Sequence, residues 1–80
     1  MYKLYFITDK GAAIFIQMNH DLKSINSYID ADMTLRGFKK APYIRSWLGE
    51  FEDKKGQWID FGSWSSFYFI EGVTFEDMCR

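Results

Sequence analysis

The sequence predicts a small α+β domain, a mostly antiparallel sheet with one packed helix in the order ββαβββ. The 80-residue chain is 48% hydrophobic and 26% charged, as globular domains are. Short runs of β-branched and aromatic residues, separated by turn residues, recur along the chain, whereas only one stretch has apolar residues at helical spacing. A chain of this length supports one core, so we expect a single domain over residues 1–80.

The first two strands are predicted from a hairpin pattern. Residues 2–8 and 12–18 are rich in apolar and aromatic side chains, and a short turn that ends in Gly11 separates them. Side chains alternate between the two faces of a strand, and apolar ones fall on both faces, as with Leu4 and Tyr5. This sheet is therefore expected to bury surface on both sides.

The helix is predicted over about Asp21 to Met33. Asn19, His20 and Asp21 offer N-cap residues, and Gly37 offers a stop. Four apolar residues follow the cap at helical spacing: Leu22, Ile25, Ile29 and Met33. This stripe should pack across one face of the sheet.

The segment 43–51 fits either secondary structure, because its apolar residues match both helical spacing and strand alternation. Pro42 would suit a first helical turn, but Gly49 disfavours a helix. A turn at 53–56 and a strand-like run at 57–61 favour a hairpin, so we predict a strand.

The chain then passes through a loop, Gly62 to Ser66, into a last strand, Phe67 to Glu71. Thr74 and Asp77 have the spacing of a capping box, which would allow a final helical turn. The predicted order remains ββαβββ.

Catalytic and metal-binding patterns are missing from the sequence. His20 is the only histidine and Cys79 the only cysteine, and Gly56, Gly62 and Gly72 stand singly in predicted turns rather than in a phosphate-binding loop. We therefore expect no enzyme activity, no metal and no cofactor. A single cysteine permits no internal disulfide, which indicates a cytoplasmic protein, and no apolar run is long enough to span a membrane.

A basic connector joins the predicted helix to the next strand. Four of the ten basic residues lie within ten positions: Arg36, Lys39, Lys40 and Arg45. The connector is either a solvated loop or a patch that contacts phosphates or acids beside exposed rings such as Tyr43.

Aromatic residues make up 20% of the chain, and they are densest from Trp58 to Glu71. The rings either bury one another in a twisted sheet, or some of them face a partner. A helix of thirteen residues spans roughly 20 Å and covers one face of a small sheet. Four aromatic residues are the expected contact anchors: Trp47, Trp58, Trp64 and Tyr68. The basic connector is expected to form a charged rim around them.

The chain resembles the short, aromatic-rich, cysteine-poor accessory proteins of bacteriophages, including anti-CRISPR proteins. The resemblance rests on chain length, on the missing catalytic patterns and on the Asp-Phe-Gly-Ser-Trp core of the segment Trp58–Glu71. It implies inhibition of a host or defence protein by direct contact. No site residue carries over from it, and the net charge of −1 departs from the strongly acidic inhibitors that mimic DNA.

The sequence thus predicts a non-enzymatic module that binds a protein partner. The alternative is a single-stranded nucleic-acid-binding protein that uses the same rings and the connector at residues 36–45. A third interpretation is a homodimer closed by the uncovered face of the sheet.

Overall fold

A computed structural model describes residues 1–39 and 45–79, which form one five-stranded sheet and two helices. The elements follow one another along the chain as β1 (Tyr2–Ile7), β2 (Ala13–Asn19), α1 (Leu22–Leu35), β3 (Arg45–Phe51), β4 (Lys54–Asp60), β5 (Phe67–Glu71) and α2 (Phe75–Met78). The predicted order ββαβββ with one helix is therefore wrong, because a second helix follows β5 and the order is ββαβββα.

The additional helix α2 begins at a capping box. The Thr74 hydroxyl accepts a hydrogen bond from the backbone N–H of Asp77, and the Asp77 carboxylate accepts one from the N–H of Thr74. The Tyr2 hydroxyl also donates to Asp77 over 2.9 Å, which ties α2 to β1. A four-residue helix is too short to show an apolar period, so only its cap is visible in the sequence.

The strands lie side by side in the order β2-β1-β5-β4-β3, and every neighbouring pair is antiparallel. The first strand thus pairs with the last one at the centre of the sheet. The segment at 45–51 is a strand, β3, at one edge, while residues 43 and 44 lie outside the described residues.

Helix α1 packs on one face of the sheet, where its buried residues Ile25, Ile29 and Met33 meet the core side chains of β1, β4 and β5. The Asp21 carboxylate caps the helix by accepting from the N–H of Lys23. The helix ends two residues later than predicted, and Gly37 follows with φ of +80°, a conformation that favours glycine. Neither helix in the described part of the chain is long and apolar enough to cross a membrane.

Candidate functional site

The sheet face opposite α1 is lined by aromatic rings, and we call it the open face. Among the described residues, seven rings belong to it: Tyr5, Phe15, Trp47, Phe51, Trp58, Phe67 and Phe69. They share this face because side chains alternate along each strand, whereas Leu4, Tyr68 and Ile70 point to the α1 side.

Five of these rings form a continuous row across all five strands. The strand register aligns Phe15 with Tyr5, Tyr5 with Phe69, Phe69 with Trp58, and Trp58 with Trp47. Ring centroids lie 5.7 Å apart for Tyr5 and Phe15, and 5.1 Å apart for Trp58 and Phe69. Phe69 in the middle is fully buried, whereas Phe15 is 50% and Trp47 42% exposed. The row is therefore packed at its centre and accessible at both ends.

Trp58 is held firmly within the row. Its indole N–H donates to the backbone oxygen of Glu50 over 3.2 Å, and its ring is stacked with Trp47 at 6.4 Å and 13°. The indole also lies over Gly49, where a Cβ atom would stand 3.0 Å from Cδ1 of Trp58. Glycine at this position thus leaves room for the Trp58 ring to lie against the backbone of β3. Trp47 is stacked on that ring, so the position of Trp58 also orients Trp47.

Two cations at the edges of the open face are paired with acids. Arg45 pairs with Asp60 over 3.0 Å at one end of the face, and Lys54 lies 3.5 Å from Asp53 at the other. The Gly62 N–H, and then Arg45, hold the pKa of Asp60 below its usual value. At these two ends of the open face, the positive charges of the described residues are therefore paired with acids.

Tyr5 connects the row to the carboxylate of Glu71, to which its hydroxyl donates over 3.1 Å. Burial, and then this hydrogen bond, raise the pKa of Tyr5. The hydroxyl therefore stays protonated at neutral pH and keeps the ring oriented.

Trp64 projects from the loop between β4 and β5 and is fully exposed. The loop itself is ordered by local hydrogen bonds, because the N–H groups of Ser65 and Ser66 donate to the Ser63 hydroxyl and that of Gly62 donates to Asp60. Trp64 thus stands on a defined turn, at the end of the sheet marked by the Arg45–Asp60 pair.

Tyr68 is the one aromatic anchor that the structure contradicts. It is 0% exposed and lies on the α1 side, where its hydroxyl donates to Asp32 over 2.7 Å. Burial, and then Asp32, raise its pKa well above the ordinary tyrosine value. Tyr68 is a core residue, because the register places Phe67 and Phe69, not Tyr68, on the face of Trp58.

Arg36 and Arg45, two of the four basic residues of the predicted rim, are not brought together. Arg45 lies beside the open face, but Arg36 lies on the α1 side, where it pairs with Asp32 over 2.6 Å and covers the Phe6 ring at 4.0 Å. Lys39 is exposed, and Lys40 lies outside the described residues.

Phe51, Phe67 and Phe69 are members of the open face that the sequence did not single out. Alternation places Phe67 and Phe69 on the same side of β5, but only the pairing of β4 with β5 shows that Trp58 lies on that side too.

Within residues 1–39 and 45–79, no three His, Cys, Asp or Glu residues stand close enough to hold a metal ion. His20 and Cys79 are both exposed, and the helix cap is formed by Asp21.

The fold and the open face define a small α+β protein with an accessible row of rings on one side of its sheet. No family model, no curated protein and no solved structure matches the chain.

Proposed function

We propose that the chain is a non-enzymatic protein-binding module whose contact surface is the open face. The observation that supports this proposal is the five-ring row with its exposed ends, Phe15 and Trp47. Large aromatic side chains with little freedom to move are the common anchors of protein interfaces. Trp64 supplies a further anchor beside the face.

The charges favour a protein over a nucleic acid as the partner. Phosphate binding depends on cations that are free to replace counterions. Arg45 and Lys54 are paired with acids at the edges of the face, and Lys3 stands opposite Glu71 in the strand register. Stacking rings are present, but the basic groove that accompanies them in single-strand binders is not formed by the described residues.

The size of the face limits the kind of complex that it forms. Five strands at about 4.8 Å and strands of about five residues at 3.4 Å give a face of roughly 400 Å². Patches of several hundred Å² mark interaction sites, whereas a standard interface buries about 800 Å² on each partner. The partner is therefore expected to contact Trp64 as well as the rings.

The identity of the partner rests on the resemblance to phage accessory proteins. We propose a host or defence protein that the module inhibits by covering its surface in the cytoplasm. Direct contact is sufficient for such a role, and it requires no chemistry from the module.

The proposal is tested by affinity capture from a host lysate, followed by binding measurements with the captured protein. Replacement of an interface anchor by alanine costs at least about 2 kcal/mol, which weakens binding about thirtyfold. Trp47→Ala and Trp64→Ala should show this loss, and Trp64→Ala should leave the melting temperature unchanged because the Trp64 side chain is fully exposed. Leu35→Ala, at a residue that is exposed on α1, is the matched control.

Binding and sedimentation measurements on the same variants also test the nucleic-acid and homodimer interpretations. Oligonucleotide binding that weakens steeply with salt would favour the nucleic-acid interpretation. A dimer that dissociates on Trp47→Ala in sedimentation would favour self-association. Equal affinity of Trp47→Ala, Trp64→Ala and the unaltered protein for the captured partner would refute the proposed surface.

A further inference from the structure

A groove lies on the α1 side of the sheet, away from the open face. It is a groove of about 410 Å³, within the range of small-molecule sites, and six residues line it: Phe6, Thr8, Asp9, Arg36, Phe38 and Ser66. Three separate segments meet there, because the pairing of Ile7 with Phe67 brings the β1–β2 turn next to the end of the β4–β5 loop. The turn after α1 adds the third segment.

Arg36 is a fixed cation at this groove. Its Nε–H donates to Asp32 over 2.6 Å, and its guanidinium carbon lies 4.0 Å from the centre of the Phe6 ring. Asp32 is in turn held by the hydroxyl of Tyr68 over 2.7 Å. Because a guanidinium carries five N–H donors, this arrangement orients the group, and donors remain for a ligand beyond those directed at Asp32 and at the Tyr68 hydroxyl.

Ser66 is the one buried polar residue among those that line the groove. The residue is only 7% exposed, and its backbone N–H donates to the hydroxyl of Ser63 over 3.2 Å. Its own hydroxyl has no hydrogen-bond partner in the part of the chain that the structure describes, and it is not sealed from solvent. Because the residue lines the groove, a ligand bound there can supply the missing partner of this hydroxyl.

The remaining lining supplies an opposite charge and an apolar wall. Asp9 is exposed in the β1–β2 turn, and its carboxylate makes no ion pair or hydrogen bond with other described residues. The rings of Phe6 and Phe38 stand 6.1 Å apart beside Arg36. A ligand that satisfies all of these groups carries an anion, a cation and an apolar body.

We propose that this groove binds a small zwitterion, of the class of α-amino acids with an apolar side chain. Its carboxylate accepts from Arg36 and Ser66, its ammonium faces Asp9, and its side chain packs on Phe38. The inference uses no residue of the open face, so it stands or falls independently of the proposed function.

Three probes separate the contributions of the two charges of the ligand. The full chain is titrated with L-leucine, N-acetyl-L-leucine and L-leucinamide, and the backbone amide shifts are followed by NMR. L-leucine should produce saturable shifts at residues 8–9, 36–38 and 66, and should bind more tightly than either blocked form.

Two substitutions assign the contacts. Ser66→Ala should weaken L-leucine and N-acetyl-L-leucine about tenfold, as expected for a lost hydrogen bond to a charged group, and should affect L-leucinamide little. Asp9→Asn should weaken L-leucine about threefold, the range of an exposed ion pair, without changing N-acetyl-L-leucine. Asp53→Asn, at an exposed acid in the β3–β4 turn, is the matched control.

The proposal is overturned if no probe gives saturable shifts, if the shifts lie outside the groove, or if all three probes bind equally. It is also overturned if Asp9→Asn and Asp53→Asn have the same effect on L-leucine.

Discussion

Replacing Tyr68 with phenylalanine tests the assignment of this residue to the core. The ring stays in place, but the 2.7 Å hydrogen bond to Asp32 is lost. Hydrogen bonds to charged groups contribute about 1.5–3 kcal/mol, and we expect the lower end, about 1.5 kcal/mol, because Asp32 keeps its bond to Arg36. For a domain of this size, such a loss lowers the melting temperature by about 6–12 °C.

The pH dependence of the loss provides a second readout. The pKa of Tyr68 is raised in the folded protein, so the stabilisation is complete below the ordinary tyrosine pKa and is lost as the pH rises above it. The difference in stability between the unaltered protein and Tyr68→Phe should therefore shrink above about pH 10. Urea unfolding at neutral and alkaline pH measures both quantities.

A double-mutant cycle identifies the partner of the hydroxyl. Tyr68→Phe combined with Asp32→Asn should show a coupling energy of about 1 kcal/mol or more, since the two groups are in direct contact. Tyr28→Phe is the control, because its hydroxyl accepts a long hydrogen bond of 3.4 Å from the neutral side chain of Asn19. Additive effects in the cycle, or a Tyr68→Phe protein as stable as the unaltered one, would show that the buried hydrogen bond is not present.

Two further substitutions examine the open face and its edge. Gly49→Ala places a methyl group 3.0 Å from the Trp58 ring, which should lower the free energy of unfolding by about 1–3 kcal/mol. It should also reduce the near-ultraviolet circular dichroism of the tryptophans. The control Ser46→Ala, on the same strand, should have neither effect. Asp60→Asn should lower the melting temperature at pH 6. The difference in melting temperature from the unaltered protein should disappear as the pH falls through the depressed pKa of Asp60, because protonation removes the charge that Gly62 and Arg45 stabilise. A deficit that is unchanged at low pH would contradict this explanation.

Much of the fold is readable from local patterns. The spacing of Ile25, Ile29 and Met33 defines the buried stripe of α1, and the turn that ends in Gly11 defines the first hairpin. These signals are contained in a few consecutive residues. Helix α2 was missed from the predicted order because four residues carry no period, although its capping box is legible.

The candidate surface was harder to predict because it depends on which strands are neighbours. Trp58 and Tyr68 both looked suited to one patch, but the pairing of Ile59 with Tyr68 turns Tyr68 towards α1. A one-residue change in register would exchange the two faces, and nothing local in the sequence fixes the register of β4 against β5. The prediction that Arg36 and Arg45 belong to one charged rim is wrong for a related reason. The two residues are close in sequence, but Arg36 lies on the α1 side of the sheet and Arg45 lies beside the open face.

The pairing of β1 with β5 has a consequence for synthesis on the ribosome. The N-terminal hairpin and α1 emerge early, but the strand that belongs beside β1 ends only at Glu71. Until β5 is made, the edge of β1 that faces it has unpaired backbone hydrogen-bonding groups. The final sheet also requires contacts between distant parts of the chain, which form slowly. Completion of the fold is therefore expected only after β5 has emerged from the exit tunnel, and a chain that stops before β5 should aggregate or be degraded.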